Sequence, residues 1–254
     1  MVGLTPKDYQ IKSIDGVSSK HNKFYLIQKE LWWRFEKILD GLPELDFAVF
    51  NGDLIDGKGT KSGGTEQITT DMNKQCDMAV AIIDRIRYKC KRDYKFIATI
   101  GTDYHVGTSG DDWEQIIAER AQLDKIGSHE WLDVNGLIFD IRHHIGSSGV
   151  PTGRYNASAR EGLWNDLWAL AGMQPKADVV IRSHVHYYTH CANSSKLCMT
   201  LPALQGMGSK YGSRRCNGTV DWGVVLFEVR DKYDYNFHPY IHSIQSQITK
   251  AMKI

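Results

Sequence analysis

The sequence predicts an α/β protein in which two mixed β-sheets pack face to face with helices outside, a four-layer α/β/β/α arrangement. Two observations predict it. Through roughly residues 22–124, segments of helical period alternate with short apolar runs, the pattern of a parallel sheet with crossover helices. From about residue 137 the chain becomes a series of short β-rich runs with few helices between them, which reads as a more antiparallel second sheet.

The first helix is expected at roughly 22–39, where Phe24, Leu26, Ile27, Leu31, Trp32, Phe35, Ile38 and Leu39 recur at three- and four-residue steps before Gly41 and Pro43 stop it. LDFAVFNGD follows as a buried strand that ends in polar residues, and the Gly-rich stretch GKGTKSGGTEQ is a loop. A helix over roughly 69–89, the strand YKFIATI, the turn GTDYHVG and a helix near 111–124 come next. In the second half LIFDIRHH, ADVVIRSHVH, KLCMTLPA, WGVVLFEV and YNFHPYIH are strands. Residues 157–172, with Leu163, Trp164, Leu167, Trp168 and Leu170, are a helix. The pairs Trp32-Trp33 and Trp164/Trp168 are assigned to core packing. No buried-strand run precedes the first helix, and no internal repeat is present.

With 254 residues, 42% of them hydrophobic, the chain is long enough for one large domain over 1–254. Lys and Arg total 31 against 30 for Asp and Glu, a net charge of +1, so no whole-molecule field draws the protein to nucleic acid, and any such contact must be local. No apolar run is long enough to cross a bilayer, and MVGLTPKDYQ lacks the layout of a secretory signal, so a cytoplasmic protein with no membrane partner is expected. The five cysteines are scattered, odd in number and free of any CxxC pair, which points to reduced thiols instead of a disulfide framework or zinc ribbon.

Four polar clusters each end an apolar run: Gly52-Asp53-Leu54-Ile55-Asp56, Gly101-Thr102-Asp103-Tyr104-His105, His143-His144 and His184-Val185-His186. Ligands gather at the carboxyl ends of strands in open α/β sheets, so clusters far apart in sequence can converge there. Asp and His are also the ligands of borderline and hard divalent ions. On an extended segment, His184 and His186 at i and i+2 would project to one face about 7 Å apart, each able to hold a different ion. Ions in two-metal sites lie about 3.5–4 Å apart, and Asp53 is the candidate bridge because a carboxylate can serve both. Taken singly the clusters are weak: a His-x-His is more often packed or solvated, Gly-Asp is commonly a turn, and Gly-Thr-Asp is commonly a helix cap. Their joint order is what carries the case.

In that order they resemble the motifs Asp-x-His, Gly-Asp-x-x-Asp, Gly-Asn-His-Asp/Glu, His and Gly-His-x-His of calcineurin-like metallophosphoesterases. GDLID at 52–56 matches the second motif, SHVH at 183–186 matches the last with Ser183 in place of Gly, and the resemblance covers about residues 45–190. It implies that Asp53 bridges two metals, Mn²⁺, Zn²⁺ or an Fe/Zn pair, with His184 on one ion, His186 on the other and His143 as the isolated histidine ligand. His144 would stand behind the ligands, and Asp56 would orient its loop. GTDYH lacks the family's Asn, so its metal-binding and proton-donating jobs fall to Asp103 and His105, or Thr102 takes the Asn position. The implied reaction is hydrolysis of a phosphate mono- or diester by hydroxide shared between the ions, with His105 protonating the leaving oxygen. The first motif is absent, which leaves one metal with only Asp53 and His186. VGLTP is similar to the segment after Asp-x-His in many bacteriophage and prophage members, so a start falling too late is expected. GSSGVPTGRYNASAR and GSKYGSRR are either rims that bring Arg154, Lys210, Arg214 or Arg215 to phosphate or solvated loops. Three rival readings stand beside this one: a nuclease of the same fold, a non-catalytic binding protein that has lost the first motif, and a single structural zinc.

Overall fold

The computed structural model of the chain describes residues 3–12, 19–60, 63–106, 112–206, 220–245 and 252. Helix α1 (Ser19–Gly41) buries Ile27, Leu31, Phe35, Ile38 and Leu39 along one stripe, while Leu26 and Trp33 fall off that stripe and are exposed. Strand β1 (Leu45–Asn51) leads through α2 (Met72–Arg87) to β2 (Cys90–Thr99), and the two strands pair in parallel. Asp71 caps α2 by accepting from the N–H groups of Asn73 and Lys74. After β2 come the short α3 (Asp103–Val106), α4 (Trp113–Arg120) and the three-residue β3 (Lys125–Gly127), which adds in parallel to β2. Phe96, Ile83, Ile117 and Cys76 fuse these strands and helices into one apolar cluster.

β4 (Glu130–Val134) and β5 (Leu137–Ile141) form a hairpin whose turn residues Asn135 and Gly136 take φ of 52° and 84°, as a two-residue primed turn requires. α5 (Pro151–Leu170), β6 (Val179–Arg182), β7 (Thr189–Ala192) and β8 (Leu197–Thr200) complete a mixed five-stranded sheet in the order β4-β5-β6-β8-β7. β9 (Trp222–Val229) and β10 (Tyr235–His242) are an antiparallel pair. Phe139, Ile181 and Met199 of the five-stranded sheet pack against Val49 of β1 and Phe227 and Phe237 of the β9–β10 pair. α1 covers Trp222 and Val224 of β9, and α5 lies against β7 and β8. Sheets are therefore inside and helices outside, an α/β fold with several sheets.

The expectation of two sheets is corrected in one respect. The layer facing the five-stranded sheet comes as two pieces, β1-β2-β3 and β10-β9. Among the described residues no strand pairs with the second edge of β1, and that of β9 carries a single bridge, Trp222 to Ala203. β3 and β4 were also not expected, because three or five residues with polar members give little periodic signal. α5 starts six residues earlier than 157, at Pro151, whose fixed φ suits a first helical position. Its buried face is Ala157, Ser158, Gly162 and Asn165; Trp164 and Trp168 are about half exposed, so the expected core role fails for them as for Trp33. The reason is close approach, since a Cβ at Gly162 would lie 2.6 Å from Cys198 Sγ and leaves no room for large side chains. Cys191 and Cys198 stand opposite each other on β7 and β8 and are free thiols, as are Cys76 and Cys90; Cys216 lies outside the described residues. No described helix is long and apolar enough to cross a membrane.

A buried ionic network ties α5 to β5 and β6. Arg182 donates from Nη1 to Asp140 Oδ1 at 2.7 Å and from Nε to Glu161 Oε2 at 2.9 Å, and Asn165 donates to Asp140 Oδ2 at 2.9 Å. Burial pushes the Asp140 carboxyl up, but His129 and Arg182 outweigh it and hold it at about 2. Arg182→Leu should take the guanidinium from the buried Asp140 carboxylate, leaving it His129 and Asn165, and leave the half-buried Glu161 to Arg142, at a cost of about 3 kcal/mol. Urea unfolding should show a lower midpoint at unchanged slope. In the parent protein the Asp140 contribution is complete above the ordinary carboxylate pKa of about 4 and is lost as pH falls toward about 2.

Candidate metal centre

The loops after β1 and β2 meet the segments that follow β5 and β6. Two glycines make the approach possible: a Cβ on Gly52, whose φ is 72°, would lie 2.6 Å from His143 Nδ1, and one on Gly101 would lie 2.2 Å from the backbone N of Asp53. Asn51 knits the strand ends together. Its Oδ1 accepts from Thr99 Oγ1 at 2.6 Å, its Nδ2 donates to Ser183 Oγ at 2.8 Å, and its carbonyl accepts from His143 Nδ1 at 2.7 Å.

That last bond decides the chemistry of His143. A carbonyl only accepts, so Nδ1 carries a proton, and whenever the ring is neutral its lone pair is at Nε2. Nε2 stands 2.9 Å from Asp53 Oδ2, yet the approach is not that of an aligned hydrogen bond, and Nε2 is buried without one. The spacing suits two ligands of one cation: bonds of about 2.1 Å at right angles put N and O about 3.0 Å apart. His184 supplies a third donor, since its Nδ1 is also buried without a hydrogen bond. Ligand atoms of Asp53, His143 and His184 all lie within 4.8 Å of one another. One carboxylate and two imidazoles suit Zn²⁺, Mn²⁺ or Fe²⁺.

Electrostatics prepare the same set. Burial pushes the Asp53 carboxyl up, but His143, His105 and the Thr102 N–H hold it at about 2, so it is ionised. Burial, with repulsion from His143, lowers His184 to about 4, which leaves its lone pair available at neutral pH. Burial pushes His143 down too, but the Asp53 carboxylate more than offsets this and raises it above the ordinary imidazole value. Burial also lowers His186.

His186, His105 and Asp56 line the same cleft as the three donors. The extended geometry expected for His184 and His186 is corrected: their φ values are 69° and 56°, β6 stops at Arg182, and both histidines reach the cleft from a left-handed loop. His105 Nδ1 donates to the Asp56 carbonyl at 3.0 Å, and its Nε2 is 3.9 Å from Asp53 Oδ2. His144 is exposed, its ring 4.8 Å from that of His184. Asp103 does not join them: it opens α3, is exposed and does not line the cleft. Thr102 takes its place beside Asp53, donating from N at 2.7 Å and from Oγ1 at 3.0 Å to Oδ1. Arg154 sits on α5 over the Tyr187 ring and away from the cleft; Lys210, Arg214 and Arg215 lie outside the described residues.

Two supporting residues escaped the sequence reading. Glu114, wholly buried on α4, accepts from Leu54 N at 2.9 Å and from Gly101 N at 2.6 Å, so one carboxylate pins both loops. Burial drives its carboxyl up to about 7 despite those bonds. Gln75 on α2 accepts from the N–H groups of Asp56 and Gly57 and donates to the carbonyls of Gly57 and Thr69. Each lies in phase with the apolar stripe of its helix, and that is the signal that marks them.

A cation held by His143 would compete with protons for Nε2, whose proton affinity the Asp53 carboxylate raises. Apparent Mn²⁺ or Zn²⁺ affinity should therefore rise with pH by up to about tenfold per unit until pH passes the raised His143 pKa, and then flatten. Calorimetry in buffers of different ionisation enthalpy measures the proton release; affinity independent of pH would remove His143 from the site.

No family model matches the sequence, and no curated protein matches it. Among solved structures the chain is similar to an archaeal phosphodiesterase, at 13% identity over 83% of this chain and 92% of that one, TM-score 0.42. It is similar to zinc-complexed Vps29 from Entamoeba histolytica, at 13% identity over 57% and 81%, TM-score 0.33. Vps29 from Cryptosporidium parvum is similar at 10% identity over 78% and 97%, TM-score 0.37. These likenesses are too loose to bear on the site.

Proposed function

We propose that the chain is a metal-dependent phosphoesterase that hydrolyses a phosphate mono- or diester in the cleft lined by Asp53, His105, His143, His184 and His186. One observation carries the reading: two buried imidazole nitrogens without hydrogen bonds, on His143 and His184, face one ionised carboxylate. Asp53, His143 and His184 would hold one divalent ion, with Asp53 and His186 offering donors to a second. Such ions supply a water acidic enough to be a nucleophile at neutral pH and neutralise charge on the phosphoryl oxygens.

The chain's own residues do the positioning. Thr102 holds Asp53 Oδ1 through two hydrogen bonds, which leaves Oδ2 on the side of His143 and His105. His105 is steered by the Asp56 carbonyl so that Nε2 looks into the cleft, where in its protonated form it would give a proton to the leaving oxygen. Asp56 is fixed in turn by Gln75, and its own carboxylate lies 3.4 Å from Gln205 Nε2. The described cleft lining has no Lys or Arg, which weighs against duplex DNA as the substrate.

A second reading has support of its own. Among the described residues one group of three donors converges closely, which favours one firmly held ion and a binding protein that keeps it without turnover. Assay with Mn²⁺ or Zn²⁺ on bis(4-nitrophenyl) phosphate separates the two. The esterase reading expects metal-stimulated hydrolysis that Asp53→Asn abolishes. His105→Ala should lower kcat by about 10²–10⁴ on an ester with an alkyl leaving group, and by less on the nitrophenyl ester, whose leaving group needs little protonation. Retained cation by elemental analysis without turnover sinks it and leaves the binding protein.

A further inference from the structure

Helix α5 meets β7 and β8 through Ala157, Ser158 and Gly162 and leaves its large side chains outside. Leu163, Trp164, Leu167, Trp168, Leu170 and Met173 are 48–87% exposed, and steps of three and four residues gather the five on the helix into a single stripe. Gly172, at φ 71°, turns the chain back so that Met173 N donates to the Trp168 carbonyl, which keeps Met173 beside the last turn. At ~250 Å² for a whole Trp and ~200 Å² for a whole Leu or Met, the exposed fractions amount to roughly 800 Å². The largest apolar patch of an ordinary monomer is about 300–600 Å². Each partner in a standard protein–protein interface contributes about 800 Å².

We infer that α5 is the contact of a two-fold symmetric dimer, in which the stripe of one chain packs antiparallel on the same stripe of a second copy. Area is the first support: with about two-thirds of the stripe covered, the two copies bury about 1,000 Å² in total, the size at which specific association begins. Composition agrees, because Trp, Met and Arg are enriched in interfaces and the stripe holds neither Lys nor Glu. Charge is the third support. A two-fold axis midway between Leu163 and Trp168 sets Arg160, exposed one turn before Trp164, beside the last turn of the partner's α5. That turn has no basic residue of its own, so its negative dipole end lacks a cation that the antiparallel arrangement supplies on both sides. A membrane surface fits the helix less well, since Arg154 and Arg160 are matched by Glu161 and Asp166, and Arg154 is held over the Tyr187 ring. No residue of α5 lines the cleft, and pairing at α5 involves neither the candidate metal ligands nor hydrolysis.

Sedimentation velocity between about 1 and 100 µM tests the dimer. The weight-average mass should rise to twice the 28.9 kDa of the chain and stop there, and Tm should climb with protein concentration. A two-fold contact carries every substitution twice, so Leu167→Glu at the centre of the stripe should raise the dimer Kd about a hundredfold or more, and Leu163→Glu should act alike. Trp33→Glu, which charges a comparably exposed apolar residue on α1, should leave Kd within about twofold. Circular dichroism checks that each variant is folded. A chain that stays monomeric at the highest concentration overturns the inference, as does a mass that passes two chains without a plateau. A dimer that survives both stripe substitutions, or that Trp33→Glu weakens as much, also overturns it. A monomeric chain that sediments with vesicles of anionic phospholipid assigns the stripe to a membrane surface instead.

Discussion

The site depends on one buried carboxylate that touches no candidate ligand ion. Glu114 receives the backbone N–H groups of Leu54 and Gly101, and through them it fixes the distance between the loop that presents Asp53 and the loop that presents Thr102. Its two bonds replace hydration that α4 excludes, and their incomplete compensation shows in a carboxyl raised to about 7. The cluster of Asp53, His143 and His184 is thus positioned from behind by an acid whose own charge is expensive to keep.

Within the cluster the groups set one another's charge. Asp53 stays ionised because two imidazoles and an amide face it, and His184 stays neutral because burial, and then repulsion from His143 beside it, disfavour its charged form. In return the Asp53 carboxylate, 2.9 Å from His143 Nε2, raises the proton affinity of that ring against the effect of its burial. Asn51 completes this arrangement, since its carbonyl fixes the His143 tautomer while its side chain bonds Thr99 and Ser183. Ser183, which stands where the resembled motif has glycine, is therefore a bonded part of the frame.

Sequence reasoning reached the layers and most of the clustered residues because both depend on patterns of short range. Apolar runs that end in Asp or His mark strands feeding a common edge, and Asp53, His143, His184, His186 and His105 do line or form one cleft. What it missed depends on backbone detail. Asp103 and Thr102 are neighbours, and only the turn into α3 decides which faces Asp53. His184 and His186 occupy positive φ, which no spacing rule for extended chain foresees. Glu114 and Gln75 were hidden because a polar residue on an amphipathic helix is normally assigned to solvent. The split of one layer into two sheets depends on strand pairing at long range, of which a single sequence carries little trace.

The small-residue contact face of α5 has a colloidal consequence. A helix that presses Ala157, Ser158 and Gly162 to a sheet must turn its bulk the other way, and Leu163, Trp164, Leu167, Trp168 and Leu170 form a greasy ridge open to water. At a net charge of +1 the molecules scarcely repel one another near neutrality. Solubility of the chain is then governed less by its folding equilibrium than by how that ridge is shielded, and salt or pH excursions act on it before they act on the core.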